Sequence, residues 1–197
     1  MFKTKNELIL LEYVCLDMQG TGPHNKETEE IFEIGAVVIK KGKIWKDTFH
    51  RHFKTQIPIP SFINRINSVD YSNSLSFIDK KDHEELSTFI GNRIIVVHNP
   101  YPERRLLGKI DKSNNRILIL DTLKFAKNIF PNLNSYSLIS LFKYLNIDND
   151  SVNNSLSEAK ATANVFLKLI DKLPENRQNL EYIAKICAHE IIKDKAV

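Results

Sequence analysis

Apolar positions along this chain follow two periods. Tyr13 to Leu16, YVCL, is an unbroken apolar run that ends in Asp17 and predicts a buried strand. QGTGP follows as a loop by its Gly and Pro content. Ile31 to Ile39, IFEIGAVVI, is rich in β-branched residues and predicts a second strand. Lys41-Gly42 makes a hairpin turn, and Ile44 to Phe53 alternates loosely as a third strand. Strands this close must be antiparallel neighbours, because a parallel crossover needs a dozen or more residues.

Beyond Pro58 and Pro60 the period changes. Ser61 to Asn67 and His83 to Ile90 predict helices, the second with Asp82 as N-cap and Gly91 as its stop. Arg93 to Val97 is a buried strand ending at His98-Asn99, and Pro102 to Leu107 opens a helix. Ile117 to Leu120 predicts another strand, after which Asp121 caps the helix TLKFAKNIF. Ser135 to Leu145 is amphipathic, with Leu138, Leu141, Phe142 and Leu145 on one face. A polar loop leads to a long helix over Ser157 to Leu173, with Ala161, Val165 and Leu169 inward. Arg177 to Lys193 carries apolar residues at helical spacing and predicts a final packed helix. The order predicts an α/β fold: a mixed sheet, an antiparallel three-strand meander plus parallel strands, flanked by helices. Residues 1–173 form the main domain and 174–197 a helical extension packed on it. The functional site is expected at the carboxyl ends of the strands.

Composition adds limits. With 197 residues, 42% apolar and 26% charged, the chain is long enough to bury a core without metal or disulfide support. Its net charge of +4 permits nucleic-acid binding without requiring it. Cys15 and Cys187 are far apart and read as two buried thiols in a reducing compartment. The apolar stretch near the N-terminus is short and ends in Asp17, and no run approaches membrane-spanning length. A cytoplasmic protein that does not engage a membrane is the expectation.

Candidate chemistry gathers at predicted element ends. Asp17 closes the first strand, Glu103 follows His98-Asn99 at a helix start, and Glu158 lies in the first turn of the long helix. Each alone is an ordinary cap or dipole partner. Together they place three acids on one edge of the sheet. Arg104, Arg105 and Lys109 lie close by in sequence, and Lys40, Lys41, Lys43 and Lys46 surround the first hairpin.

The segments carrying these residues resemble, in order, the motifs of the DEDDh branch of 3′–5′ exonucleases. YVCLDMQGTGPHNKETEEIFEIGAVVI resembles the first motif, a strand, D-x-E-T-T-G and then IEIGAV. IVVHNPYPERRLL resembles the second, H-N-x-x-x-D, and NNSLSEAKATANVFLKLI the third, H-x-A-x-x-D and a helix. LDTLKFAKNIFPNLNSYSLISLFKYLNI is similar to the linking segment, so the likeness runs from about residue 13 to 170. The branch includes the proofreading subunit of bacterial replicative polymerases and ribonuclease T, and it implies a ribonuclease H-like fold. It further implies four carboxylates holding two Mg²⁺ or Mn²⁺ ions about 3.5–4 Å apart, with the third-motif histidine as general base.

The functional positions depart from that pattern. Asp17 matches the first Asp, Gln19 stands for the family's Glu, and Glu103 and Glu158 stand for Asp residues. Asn153 stands where the general-base histidine belongs. Gln19 removes one full negative charge from the cage, and an amide such as Asn153 is no base near neutral pH. Glu103 and Glu158 each add a methylene to a constellation that tolerates about 0.5 Å of misplacement. Thr21 and Gly22 match the turn that touches the terminal nucleotide in the family, and His98 and Asn99 match the second motif. On the family fold Arg104 and Arg105 would lie near enough to the cleft to meet phosphates. Glu33 matches the acid of IEIG and reads as a structural hydrogen-bond acceptor, and Asp121 matches a family Asp and reads as a cap.

Three readings follow. One is a working exonuclease with an altered cage. Another is a degenerate exonuclease that binds the 3′ end of single-stranded DNA or RNA with weak or no activity. The third is a protein-interaction or structural module, such as a partner of a polymerase or another complex. Loss of cage charge and base together favours weakened activity, with at most one well-bound divalent ion, held chiefly by Asp17 with Glu158. Asp17, Gln19, Glu103 and Glu158 are expected in one cleft with Asn153 at its rim.

Overall fold

The computed structural model describes residues 5–21, 30–59, 76–100, 107, 118–148 and 153–190. The helix expected over Ser61 to Asn67 and most of that over Pro102 to Leu107 lie outside these residues, as do Gly22, Glu103, Arg104 and Arg105. The elements are α1 (Lys5–Leu10), β1 (Tyr13–Gly20), β2 (Ile31–Lys40), β3 (Lys43–His52), α2 (Lys80–Ile90) and β4 (Ile94–Val97). They continue as β5 (Leu118–Asp121), α3 (Thr122–Ile129), α4 (Leu138–Leu145), α5 (Ser155–Lys172), a 3₁₀ turn (Glu175–Arg177), α6 (Leu180–Cys187) and β6 (Ala188–Glu190).

One six-stranded sheet has the order β3-β2-β1-β4-β5-β6. The first three strands form the expected antiparallel meander. β1, β4 and β5 run parallel, and β6 closes the far edge antiparallel to β5. Both faces of the sheet are covered, which explains why β2 is apolar almost without a break. Val14, Leu16, Ile34, Ala36, Val38 and Ile95 form one core with Leu86 and Ile90 of α2. Tyr13, Cys15, Val37, Ile39, Val96 and Leu120 form the other with α3, α4, α5 and α6. Tyr13 meets Phe166 of α5 edge to face, with ring centroids 5.1 Å apart. Both cysteines are buried free thiols. Burial raises the Cys15 pKa and pushes that of Cys187 up to about 12, so neither is a nucleophile at neutral pH.

Local chemistry sets the helix starts. Asp121 caps α3 by accepting from Leu123 N at 2.8 Å. Asn154 and Ser157 form a capping box at the start of α5. α2 begins three residues earlier than the apolar pattern suggests. Asp79 is its N-cap, and Asp82 is the N3 member that returns a hydrogen bond to the cap backbone. Gly91 stops it in the left-handed region, at φ 55°.

The C-terminal segment differs from the expected helix over Arg177 to Lys193. Among the described residues the helix covers Leu180–Cys187, and Ala188–Glu190 pairs with Leu118–Leu120 instead, while residues 191–193 of the expected helix lie outside them. Tertiary pairing overrides helical periodicity here, because β5 would otherwise end the sheet as an open edge. His189 Nε2 lies 3.0 Å from Asp121 Oδ2, which fixes the new strand against the end of β5.

Candidate functional site

β1 runs four residues further than its apolar core, through Asp17 to Gly20. The extension is held by β2, with Asp17 opposite Gly35 and Gln19 opposite Glu33. Alternation places Tyr13, Cys15, Asp17 and Gln19 on the α5 side of the sheet. Gly35 lacks a side chain where the first turn of α5 crosses: a Cβ there would overlap the backbone of Ser155 and Leu156. That close approach brings the α5 N-terminus, with Glu158 in its first turn, over β1.

Three of the expected residues therefore converge across the fold. Gln19 Nε2 donates to Glu158 Oε1 at 3.3 Å and to Asp17 Oδ2 at 3.5 Å. Both bonds are long for N–H···O, so the amide bridges two carboxylates without binding either tightly. Burial raises the pKa of Glu158 above the ordinary carboxylate value, and the negative charge of Glu33 adds to the rise. Hydrogen bonds from the Asp17 and Gln19 side chains oppose it. The α5 N-terminus offsets part of the burden electrostatically.

The sign of that shift sets a pH dependence. A carboxyl whose folded pKa is raised stabilises the fold fully below its ordinary value of 4.5, and this contribution is lost as pH rises through the folded value. Ionising Glu158 is thus a burden on the metal-free fold. Glu158→Gln should raise the metal-free Tm at pH 7, by about 2–4 °C for each kcal/mol relieved, and the gain should shrink as pH falls toward 4.5. Thermal melts of both proteins from pH 4.5 to 7.5 would show it. A variant less stable than the parent throughout that range would contradict the assignment.

Asn153 precedes the N-cap of α5, and its backbone N–H donates to Ser157 Oγ at 2.9 Å. It occupies N′ and Glu158 occupies N4, the two positions that face each other across a helix start. Thr21 is buried and ties the end of β1 to Glu30: its N–H donates to Glu30 O at 2.9 Å, and its Oγ1 accepts from Glu30 N at 3.1 Å. His98 follows β4, and its Nδ1 lies 2.9 Å from Thr122 Oγ1. Burial holds its pKa below the ordinary histidine value, against the pull of Asp121. Asn99 adopts the left-handed region at φ 64°, and its N–H donates to Asp121 Oδ1 at 3.1 Å. Asp121 is thus a helix cap, as its sequence context suggests, and also an anchor for the turn after β4.

Two features escape a reading along the chain. His189 reaches Asp121 only because β6 forms. Glu33, fully buried, accepts from a ring nitrogen of β3: His50 Nε2 lies 2.7 Å from its Oε1. The acceptor role read for Glu33 is thus present, but its partner is a histidine on the neighbouring strand. The available signal was the i, i+2 spacing of His50 and His52, which puts both on one strand face.

The donor set near Asp17 and Glu158 suits one hard divalent cation. Two half-buried carboxylate groups, one with a raised pKa, supply two negative charges when ionised, and an amide oxygen can serve as a neutral third ligand.

Comparison with known proteins agrees with this architecture. The exonuclease family model, RNase_T, matches residues 14–166. A PolC-type DNA polymerase III of Caldanaerobacter subterraneus subsp. tengcongensis is 32% identical over 169 residues, which cover 83% of this chain but 12% of that polymerase. The DNA polymerase III epsilon subunit of Aquifex aeolicus is 26% identical over 180 residues, 87% of this chain and 86% of that subunit. Among solved structures, exonuclease X in complex with 5′-overhanging duplex DNA superposes with a TM-score of 0.67 at 18% identity, covering 89% of this chain and 98% of that one. The chain belongs to the exonuclease family, homologous to the 3′–5′ exonucleases of the polymerase III epsilon and PolC type. Its sheet and helices have the ribonuclease H-like arrangement of those enzymes. It spans about an eighth of the length of the PolC-type relatives it matches.

Proposed function

We propose that this protein engages the 3′ end of single-stranded DNA or RNA in an exonuclease-type cleft and hydrolyses it weakly or not at all. The carrying observation is the Gln19 amide. It donates to Asp17 and Glu158 from a position where the family has a metal-binding carboxylate. Hydrogen bonding by an uncharged group thus replaces part of the cage's charge. In this reading Asp17 and Glu158 hold one Mg²⁺ or Mn²⁺, with Glu103 joining them. The ion's chemistry is to polarise a phosphoryl oxygen and the water beside it. Asn153, in the general-base position, can orient a water but cannot accept its proton. Thr21, Gly22, His98 and Asn99 would form the seat of the terminal nucleotide, with Arg104 and Arg105 near its phosphates. Neutral His98 there acts as a hydrogen-bonding and packing group, not as a fixed cation.

A polymerase partner has support from the same homology, since relatives include a polymerase III subunit and a segment of a PolC-type polymerase. No helix among the described residues is long and apolar enough to cross a membrane, and we place the protein in the cytoplasm.

Anisotropy and calorimetry test the reading together. A linear single strand with a free 3′ end should bind, while a circular strand of the same sequence should bind at least tenfold more weakly. Mg²⁺ should titrate to one equivalent, and Asp17→Asn should abolish that binding. Two tight Mg²⁺ equivalents, or equal binding of linear and circular strands, would overturn it.

A further inference from the structure

Glu33 lies inside an apolar sheet with no solvent exposure, on the same face as Gln19. Two imidazoles from the edge strand β3 converge on it. His52 is directly opposite Glu33 in the register, and His50 is opposite Gly35. His50 Nε2 is 2.7 Å from Glu33 Oε1, and His52 Nε2 is 3.2 Å from the same oxygen. The two rings are tilted by 56° with centroids 4.7 Å apart. One ligand atom from each of the three residues falls within 4.8 Å of the others.

With a proton on each Nε2, the two rings can both donate to one Glu33 oxygen, which has two lone pairs; with the protons on Nδ1, the same atoms present two ring nitrogens and one oxygen to a cation. A tetrahedral ion with bonds of about 2.0–2.1 Å separates its ligand atoms by roughly 3.3 Å. The separations of 2.7 and 3.2 Å reach that value with shifts well under an ångström. Both histidine side chains are partly exposed while Glu33 is not, and His52 Nε2 itself is buried, so the three ligand atoms lie at the inner edge of the sheet rather than on its surface. Burial, reinforced by the neighbouring His50, keeps His52 below the ordinary histidine value, and a neutral ring is the form that ligates. Two imidazole nitrogens and one carboxylate oxygen suit zinc and its first-row neighbours better than Mg²⁺ or Ca²⁺, which take oxygen ligands.

We propose that Glu33, His50 and His52 form a binding site for one first-row transition-metal ion of the Zn²⁺ class. The site shares no ligand with the Asp17–Glu158 pair, although Glu33 is the cross-strand neighbour of Gln19, and it does not depend on the nuclease reading above.

The test uses the whole chain with Zn²⁺ and Co²⁺. In protein labelled with ¹⁵N-histidine, one equivalent of Zn²⁺ should shift the Nε2 resonances of His50 and His52 and leave those of His98 and His189 in place. One equivalent of Co²⁺ should give the intense visible bands of a tetrahedral centre. Zn²⁺ should bleach those bands, and excess Mg²⁺ should not. His52→Gln should weaken Co²⁺ binding by more than the roughly 10–100-fold that losing an outer-sphere partner costs, while Asp17→Asn should leave the bands intact. Bands that survive His52→Gln but vanish in Asp17→Asn would overturn the site. So would His50 and His52 resonances unmoved by one equivalent of Zn²⁺, a readout that requires no variant to fold.

Discussion

Gln19→Glu combined with Asn153→His should raise 3′–5′ exonuclease activity above that of the parent chain by about 10²–10⁴-fold. Each change answers a specific deficit. In the parent, Gln19 donates to both Asp17 and Glu158. Glu in its place turns a donor into a further negative charge beside Asp17 and Glu158, and the site should gain affinity for a second cation. The metal-free double variant should be less stable, because it adds like charge beside Glu158, whose pKa burial already raises. Mg²⁺ should reverse that loss by mass action. Asn153→His supplies a group that titrates near working pH, at the N′ position beside Glu158. The double variant should exceed the product expected from the singles, since a metal-bound water and its base act on one proton and such effects are not additive. Single-turnover degradation of an end-labelled strand with Mg²⁺ or Mn²⁺ measures all four proteins. A parent rate that the double variant does not improve would mean that Asp17, Glu103 and Glu158 already make a competent cage.

Local rules account for the parts of this protein that can be read from its sequence. The meander follows from β-branched runs joined by a tight turn, and Asp121 and Asn154 act within three residues of themselves. Asp17 and Glu158 could be paired only through their likeness to separated family motifs, since 140 residues of chain intervene between them. The rest depends on cross-strand neighbours that a single strand does not reveal. MQG lacks the composition of a strand, yet it continues β1 because β2 is beside it. Ala188–Glu190 follow a run with a helical apolar period, yet they extend because β5 offers an unpaired edge. Glu33 and His52 are 19 positions apart in sequence and directly opposite in the sheet. The bridging role of Gln19 likewise appears only once α5 lies over β1.

Gly35→Ala should be among the most damaging single-methyl additions in this chain, and it should act on the site as well as on stability. The new Cβ would overlap the backbone of Ser155 and Leu156, in the first turn of α5. Side chains can rotate away from such a clash, but two backbones cannot. The helix must lift or the strand must bend. Overpacking of side chains costs about 1–3 kcal/mol, and backbone against backbone should reach the top of that range, a fall in Tm of roughly 6–12 °C. Lifting the first turn of α5 draws Glu158 away from Asp17, so Mg²⁺ affinity should fall more than tenfold in whatever fraction stays folded. Val38→Ala separates the two effects. Val38 is buried on the opposite face, in the core shared with α2. Its truncation should lower Tm by leaving a cavity, yet it leaves the α5 crossing untouched, and Mg²⁺ affinity should hold. Calorimetry and thermal melts on both variants decide the matter. A Gly35→Ala protein with parental Tm and parental Mg²⁺ affinity would show that the close crossing of α5 over β2 does not position Glu158.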